Sequence, residues 1–156
     1  MEITNRPKAL AAGEGLRLQS GPGRDLIFKV IGEDTDGAFD FFIVEVAPRG
    51  GPPLHVHHTQ EEAIHVLKGR YKIRVGDEIF HCEQGGFAYL PARLPHAFLN
   101  LTDEEGEIIV VYTPGGGHRF YEELGPASRN GADRATIAAI FTKHDITLLG
   151  PPLTLD

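Results

Sequence analysis

The feature that most constrains this chain is rhythm. Between Gly15 and Thr113, short runs rich in β-branched and aromatic residues recur, each ended by Gly, Pro or acidic residues. Such turn-bounded runs read as the strands of a sandwich or barrel. The spacing predicts strands over Leu16–Gln19, Leu26–Ile31, Ala38–Ala47, Leu54–His58, Glu62–Leu67, Arg70–Val75, Glu78–Cys82, Phe87–Leu90, His96–Leu101 and Glu107–Thr113. Gly76-Asp77 and the polar cluster Asp103 to Gly106 carry the turn chemistry of hairpin links. One open sheet of so many strands would leave long exposed edges, which a closed or double-sheet arrangement removes. The 19 Gly and 11 Pro in 156 residues agree with many turns.

After Gly115-Gly116-Gly117 the pattern changes. Arg119 to Leu124 and Asp133 to His144 read as helices, the second with Asp133 as N-cap and with Ile137, Ile140, Phe141 and His144 at helical spacing. That helix is expected on the outside of the barrel. The glycine triplet is read as a flexible turn, because no Lys-Ser or Lys-Thr follows it as a phosphate loop requires. The whole, residues 1–156, reads as one all-β domain with a barrel over about 15–113 and helices and a tail over about 117–156.

Composition narrows the partners. A net charge of -7 disfavours nucleic acid, which needs clustered Lys and Arg to displace counterions. The apolar run Phe41 to Val44 is far short of the ~20 residues that span a bilayer, and Met1 to Gly15 lacks a secretory apolar stretch. Cys82 is the single cysteine, so no internal disulfide forms and a reducing cytoplasm is the expected compartment.

The chemistry concentrates in histidine. Six of the eight His lie between His55 and His96. On a strand, His55 and His57 project from the same face with Cα atoms about 6.8 Å apart, so both imidazoles can aim at one point. The carboxylate that joins them is a choice between Glu61 and Glu62. The polar stretch His58 to Gln60 reads as a turn that resets the register, and the strand after it places Glu62, Ile64 and Val66 on one face. That favours Glu62, with Glu61 as the fallback. Beyond a Pro-bracketed turn, His96, Phe98 and Asn100 alternate onto one face, which makes His96 the fourth candidate ligand.

These two segments resemble the paired motifs of the cupin superfamily. In the first, four residues separate His57 from Glu62 and six separate Glu62 from Gly69, as the family pattern has it, while the lead-in Gly50-Gly51 stands one or two residues closer to His55 than usual. In the second, Gly85, Pro91, His96 and Asn100 match in order and spacing, and Arg93 stands where the family usually has Gly. The tail Leu148 to Leu153 is similar to the ends of small single-domain cupins of the quercetin dioxygenase-like kind. The resemblance implies a double-stranded β-helix, a jelly-roll barrel, with one divalent metal on His55, His57, Glu62 and His96. It also implies a homodimer formed through edge strands.

Three imidazoles and a carboxylate suit Fe(II), Mn(II), Ni(II), Zn(II) or Cu(II) and leave positions open for a small-molecule substrate. The leading expectation is a dioxygenase acting on a small enol, catechol or polyphenol, with Glu62 also as proton acceptor. The alternatives are a metal-dependent isomerase or lyase, for which Arg93 is the obvious basic residue at the barrel mouth, and a non-catalytic metal- or ligand-binding protein. His58 and His65 have opposite parity and are expected on the outer face or at an interface, and His81, His118 and His144 are expected to be solvated. Cys82 is expected to act as a small apolar residue. Phe87, Tyr89, Phe98 and Tyr112 are read either as pocket lining or as core.

Overall fold

The computed structural model describes residues 5–21 and 24–156; Met1 to Thr4, the start of the stretch read as having no secretory signal, lie outside them. In chain order the described elements begin with β1 (Leu16–Gly21), β2 (Arg24–Val30), β3 (Asp40–Val46), β4 (Pro53–His57), β5 (Glu61–Lys68) and β6 (Arg70–Val75). They continue with β7 (Glu78–Glu83), β8 (Phe87–Leu90), β9 (His96–Asn100), β10 (Gly106–Thr113), α1 (His118–Arg129), α2 (Arg134–Lys143) and β11 (Ile146–Pro152). All ten predicted strands are present within a few residues of the expected bounds. The eleventh, β11, is the segment read as a tail.

Two antiparallel sheets form, one in the order β1-β2-β3-β10-β5-β8 and one in the order β11-β4-β9-β6-β7. Period-two alternation sends Phe42, Val44 and Val46 of β3, Ile64 and Val66 of β5, and Ile108 and Val110 of β10 inward. They meet Tyr71, Ile73 and Val75 of the other sheet in one buried core. This is the double-stranded β-helix architecture. Burying each such side chain contributes roughly 1.5–3 kcal/mol, so the alternation alone strongly selects which face turns in.

The helices serve a different part of the molecule. Phe120 and Leu124 of α1, Phe141 of α2 and Ile146 of β11 form a second apolar cluster. The Asp133–His144 helix packs against the outside of the sheets, and its one buried side chain, Phe141, reaches in to wall the internal cavity and meets the His55 ring edge-on at 6.3 Å. Asp133 does cap this helix, its side chain accepting from the Thr136 amide at 2.8 Å. The glycine triplet is a built junction. Buried Asp40 accepts from the amides of Gly116 at 2.9 Å and Gly117 at 2.7 Å, and a side chain on Gly117 would run into the Tyr112 ring. Neither helix is long and apolar enough to cross a membrane.

Candidate metal centre

His55 and His57 lie on β4, Glu62 on β5 and His96 on β9, so the centre draws on both sheets. His55 and His96 are direct cross-strand partners, with ring centroids 4.5 Å apart. Glu62 stands opposite Tyr112 of β10 on one side and Leu90 of β8 on the other. One donor atom from each of His55, His57, Glu62 and His96 lies within 4.8 Å of the other three, and all four side chains are buried. Glu61, the fallback, points the other way and accepts from the Tyr89 hydroxyl at 2.8 Å and the Ala92 amide at 2.7 Å.

The protonation states suit a cation. Burial, reinforced by the neighbouring imidazoles, pushes His55 down to about 3 and His57 down to about 4, so both rings are neutral and offer lone pairs. Burial works to raise Glu62, but the imidazoles of His96, His57 and His55 outweigh it and hold the carboxyl below its ordinary value. The Nδ1 of His55 lies 2.7 Å from the Pro53 carbonyl. A carbonyl only accepts, so Nδ1 carries the proton and Nε2 presents its lone pair to the cluster.

The unpartnered atoms test whether a metal fits. Both ring nitrogens of His57 and of His96, and Oε2 of Glu62, are buried without a hydrogen bond, although His96 Nε2 approaches Glu62 Oε2 to 3.0 Å. Each such atom costs about 1–3 kcal/mol when left unsatisfied, and native interiors keep few of them. One cation at the point of convergence would satisfy several at once. The four residues can therefore hold a metal ion, and they fit one by charge, donor type and proximity.

His55, His57 and Glu62 open onto an internal cavity of about 80 Å³ whose remaining wall is mostly apolar. Of the four aromatics singled out above, Phe98 and Tyr112 line this cavity. Phe87 and Tyr89 do not; they are 62% and 55% exposed. The reason is register, since Phe87 pairs with His65 and Tyr89 with Ala63, which puts them on the outer face of β5 and β8. Arg93 is exposed and does not line the cavity wall. The cation that does line the cavity is Arg24, beside Tyr121. Both escaped the sequence reading, although period two from the inward Leu26 points back to Arg24 had the strand been started earlier.

The remaining histidines divide. His58 is exposed and its Nε2 lies 2.7 Å from the Thr147 hydroxyl, and His81 is exposed, as expected. His118, expected to be solvated, is instead buried, with Nε2 3.2 Å from Glu33 and its ring edge-on to Phe28. It sits at the start of α1, where the chain turns back onto β2. His144 is also largely covered, 3.5 Å from Glu123. Cys82 is half-buried against the core, and burial pushes its thiol up, away from nucleophilic character.

Residues 42–112, from β3 to β10, match the family Cupin_2, described as a cupin domain. The matched stretch, a little under half of the chain, is similar to a cupin domain. A 71-residue stretch is 31% identical to an uncharacterized protein of Methanocaldococcus jannaschii, and covers 46% of this chain and 57% of that one. A 92-residue stretch is 29% identical to quercetin 2,3-dioxygenase of Bacillus subtilis, and covers 59% of this chain and 27% of the enzyme. The chain thus spans little more than half of one relative and about a quarter of the other. Among solved structures, KdgF from Halomonas sp. superimposes with a TM-score of 0.65 at 13% identity, over 73% of this chain and 99% of that one. At that identity the likeness is one of fold.

Proposed function

We propose that this chain is a metal-dependent enzyme of the dioxygenase type acting on a small enol or catechol. Its ligands are His55, His57, Glu62 and His96, and Glu62 is also the proton acceptor. The observation that carries this reading is the convergence of four buried donors, several without hydrogen bonds, at the wall of an apolar cavity. Neutral nitrogen and carboxylate donors suit Fe(II), Mn(II), Ni(II), Zn(II) or Cu(II). Such an ion, when bound, supplies Lewis-acid activation of an enol oxygen and access to dioxygen chemistry.

The chain's own groups do the rest. Pro53 orients the His55 ring, the depressed carboxyl of Glu62 stays ionised and can take the enol proton, and the apolar wall keeps bulk water from the reacting atoms. A water needs roughly 10–15 Å³, so a cavity of about 80 Å³ holds only a handful. The partial likeness to quercetin 2,3-dioxygenase supports the oxygenase class over other cupin chemistry. We also propose a cytoplasmic homodimer, with Cys82 as the lone thiol and with the exposed Ile79, Phe80, Phe87 and Tyr89 of edge strands β7 and β8 as the contact.

The test loads the protein with each metal in turn and measures oxygen uptake over a panel of enols and catechols, beside elemental analysis of wild type and His96→Ala. We expect close to one ion per chain, uptake with at least one pair of metal and substrate, and loss of both in the variant. No uptake with any pair would sink the dioxygenase reading. Equal metal content in the two proteins would sink the ligand assignment.

A further inference from the structure

Arg24 is the one cationic side chain among the described residues that line the cavity. It opens β2 on the inward face, two residues before the buried Leu26, and its Nη1 donates to the Gly51 carbonyl at 2.8 Å. A guanidinium carries five N–H donors in a planar fork, and this is the only protein hydrogen bond it makes among the described residues. No carboxylate faces it there. By contrast the more exposed Arg17 pairs with Asp25 at 2.7 Å, Arg49 with Asp103 at 2.8 Å, and Arg119 with Glu33.

A half-buried, unpaired Arg in a chain of net charge -7 is costly unless something anionic visits it. Burial holds the guanidinium below its ordinary value, and only Tyr121 works against that. The Tyr121 and Tyr112 hydroxyls lie 2.8 Å apart, and Tyr112 stands across from Glu62 in the β10–β5 register. Glu62, the two tyrosines and Arg24 therefore share one cavity wall that is otherwise mostly apolar. One proton of the tyrosine pair joins the two oxygens and leaves the other free to donate to a ligand.

We infer that Arg24 is the specificity-determining residue of this cavity and that the ligand is a carboxylate-bearing enol or catechol. Its carboxylate sits on the Arg24 fork and its enol or catechol oxygens face Glu62 and the imidazoles. This rests on the site reading proposed above, which makes the imidazole end the reacting end. A fork-to-carboxylate pair recognises both charge and shape, whereas the apolar wall recognises neither.

The test is calorimetric binding to the Zn(II)-loaded chain without oxygen, using two matched pairs of probes: acetylacetone against 2,4-dioxopentanoate, and catechol against 3,4-dihydroxybenzoate. In at least one pair the acid is expected to bind about tenfold to a hundredfold tighter than its neutral partner, as a charge-assisted contact provides. Arg24→Gln should abolish that preference and leave the neutral affinity within about twofold. Equal binding of acid and neutral probe in both wild-type pairs overturns the inference. So does an Arg24→Gln variant that weakens both alike, which would mean that Arg24 merely holds Gly51.

Should Arg24→Gln not fold, Arg24→Lys carries the test, since it keeps the charge and loses the fork. It should lose about tenfold on the acid alone, and an unchanged acid affinity counts against the inference. No oxygen enters this measurement. A carboxylate preference without oxygen uptake would leave this inference standing and remove the dioxygenase reading, and uptake without the preference would do the reverse.

Discussion

Arg93 holds φ at +70°, in the left-handed region that usually falls to Gly, while its amide donates to the His57 carbonyl at 2.8 Å. The bond ties the turn before β9 to the end of β4, so the backbone geometry is kept although the residue type is not. A non-glycine residue there costs roughly 1–2 kcal/mol, partly offset by its smaller entropy loss on folding. Arg93→Gly is therefore expected to raise stability by about 0.5–1 kcal/mol in urea unfolding, with metal content unchanged; a loss of stability would show that the side chain contributes more than its exposure suggests. Glu61 and Glu62 make the sharper pair. Parity after the His58 to Gln60 turn was enough to choose between them, because one step along a strand reverses the face. We expect Glu62→Gln to lower bound metal by at least tenfold in apparent affinity, about 1.4 kcal/mol, and Glu61→Gln to leave it unchanged in a chelator competition assay.

Each element records a different balance of local and distant forces. Helix α2 begins where Asp133 says it should, and Asp133→Ala is expected to cost about 1 kcal/mol in thermal or chemical unfolding. Helix α1 runs past the predicted Leu124 through Gly125 and Pro126, which read locally as breakers. Gly125 is there for packing, since a Cβ would meet the Gln19 carbonyl of β1 at 2.6 Å. Gly125→Ala should therefore destabilise by roughly 1–3 kcal/mol despite alanine's better helix propensity; a stabilised variant would show that α1 can shift away from β1. Strand β11 was read as a tail because Leu148 to Leu153 is similar to the ends of small single-domain cupins. What makes it a strand is distant, namely the pairing of Ile146, Thr147 and Leu148 with His57, Val56 and His55 of β4.

At the scale of the whole molecule, the buried cluster of three imidazoles and Glu62 gives stability a pH dependence. The folded values of His55 and His57, about 3 and about 4, lie below the ordinary imidazole value of 6.5. The unfolded chain therefore binds more protons as pH falls below 6.5, and stability falls with it by up to about 1.4 kcal/mol per pH unit for each imidazole. Glu62, also depressed, adds the same sign at lower pH, because the unfolded carboxyl is protonated first. The melting temperature of the metal-free protein should drop steadily between pH 6.5 and 4, and a flat profile there would show the imidazoles to be accessible to protons in the folded state. The sequence by itself determined what repeats over short distances: the ten strands between Gly15 and Thr113, the turns between them, the Asp133 cap and the shared parity of His55 with His57 and of Glu62 with Ile64. Local period encodes a face. It does not encode which strand lies beside which, so only the tertiary structure decided that β5 of one sheet faces β4 and β9 of the other and brings the four donors together. The same long-range packing put Arg24, Tyr121 and Phe141 into the cavity wall and left Phe87 and Tyr89 outside. Those positions follow from register across the sheets and from the two helices over the cavity, contacts between residues far apart in the chain that only the packed core selects.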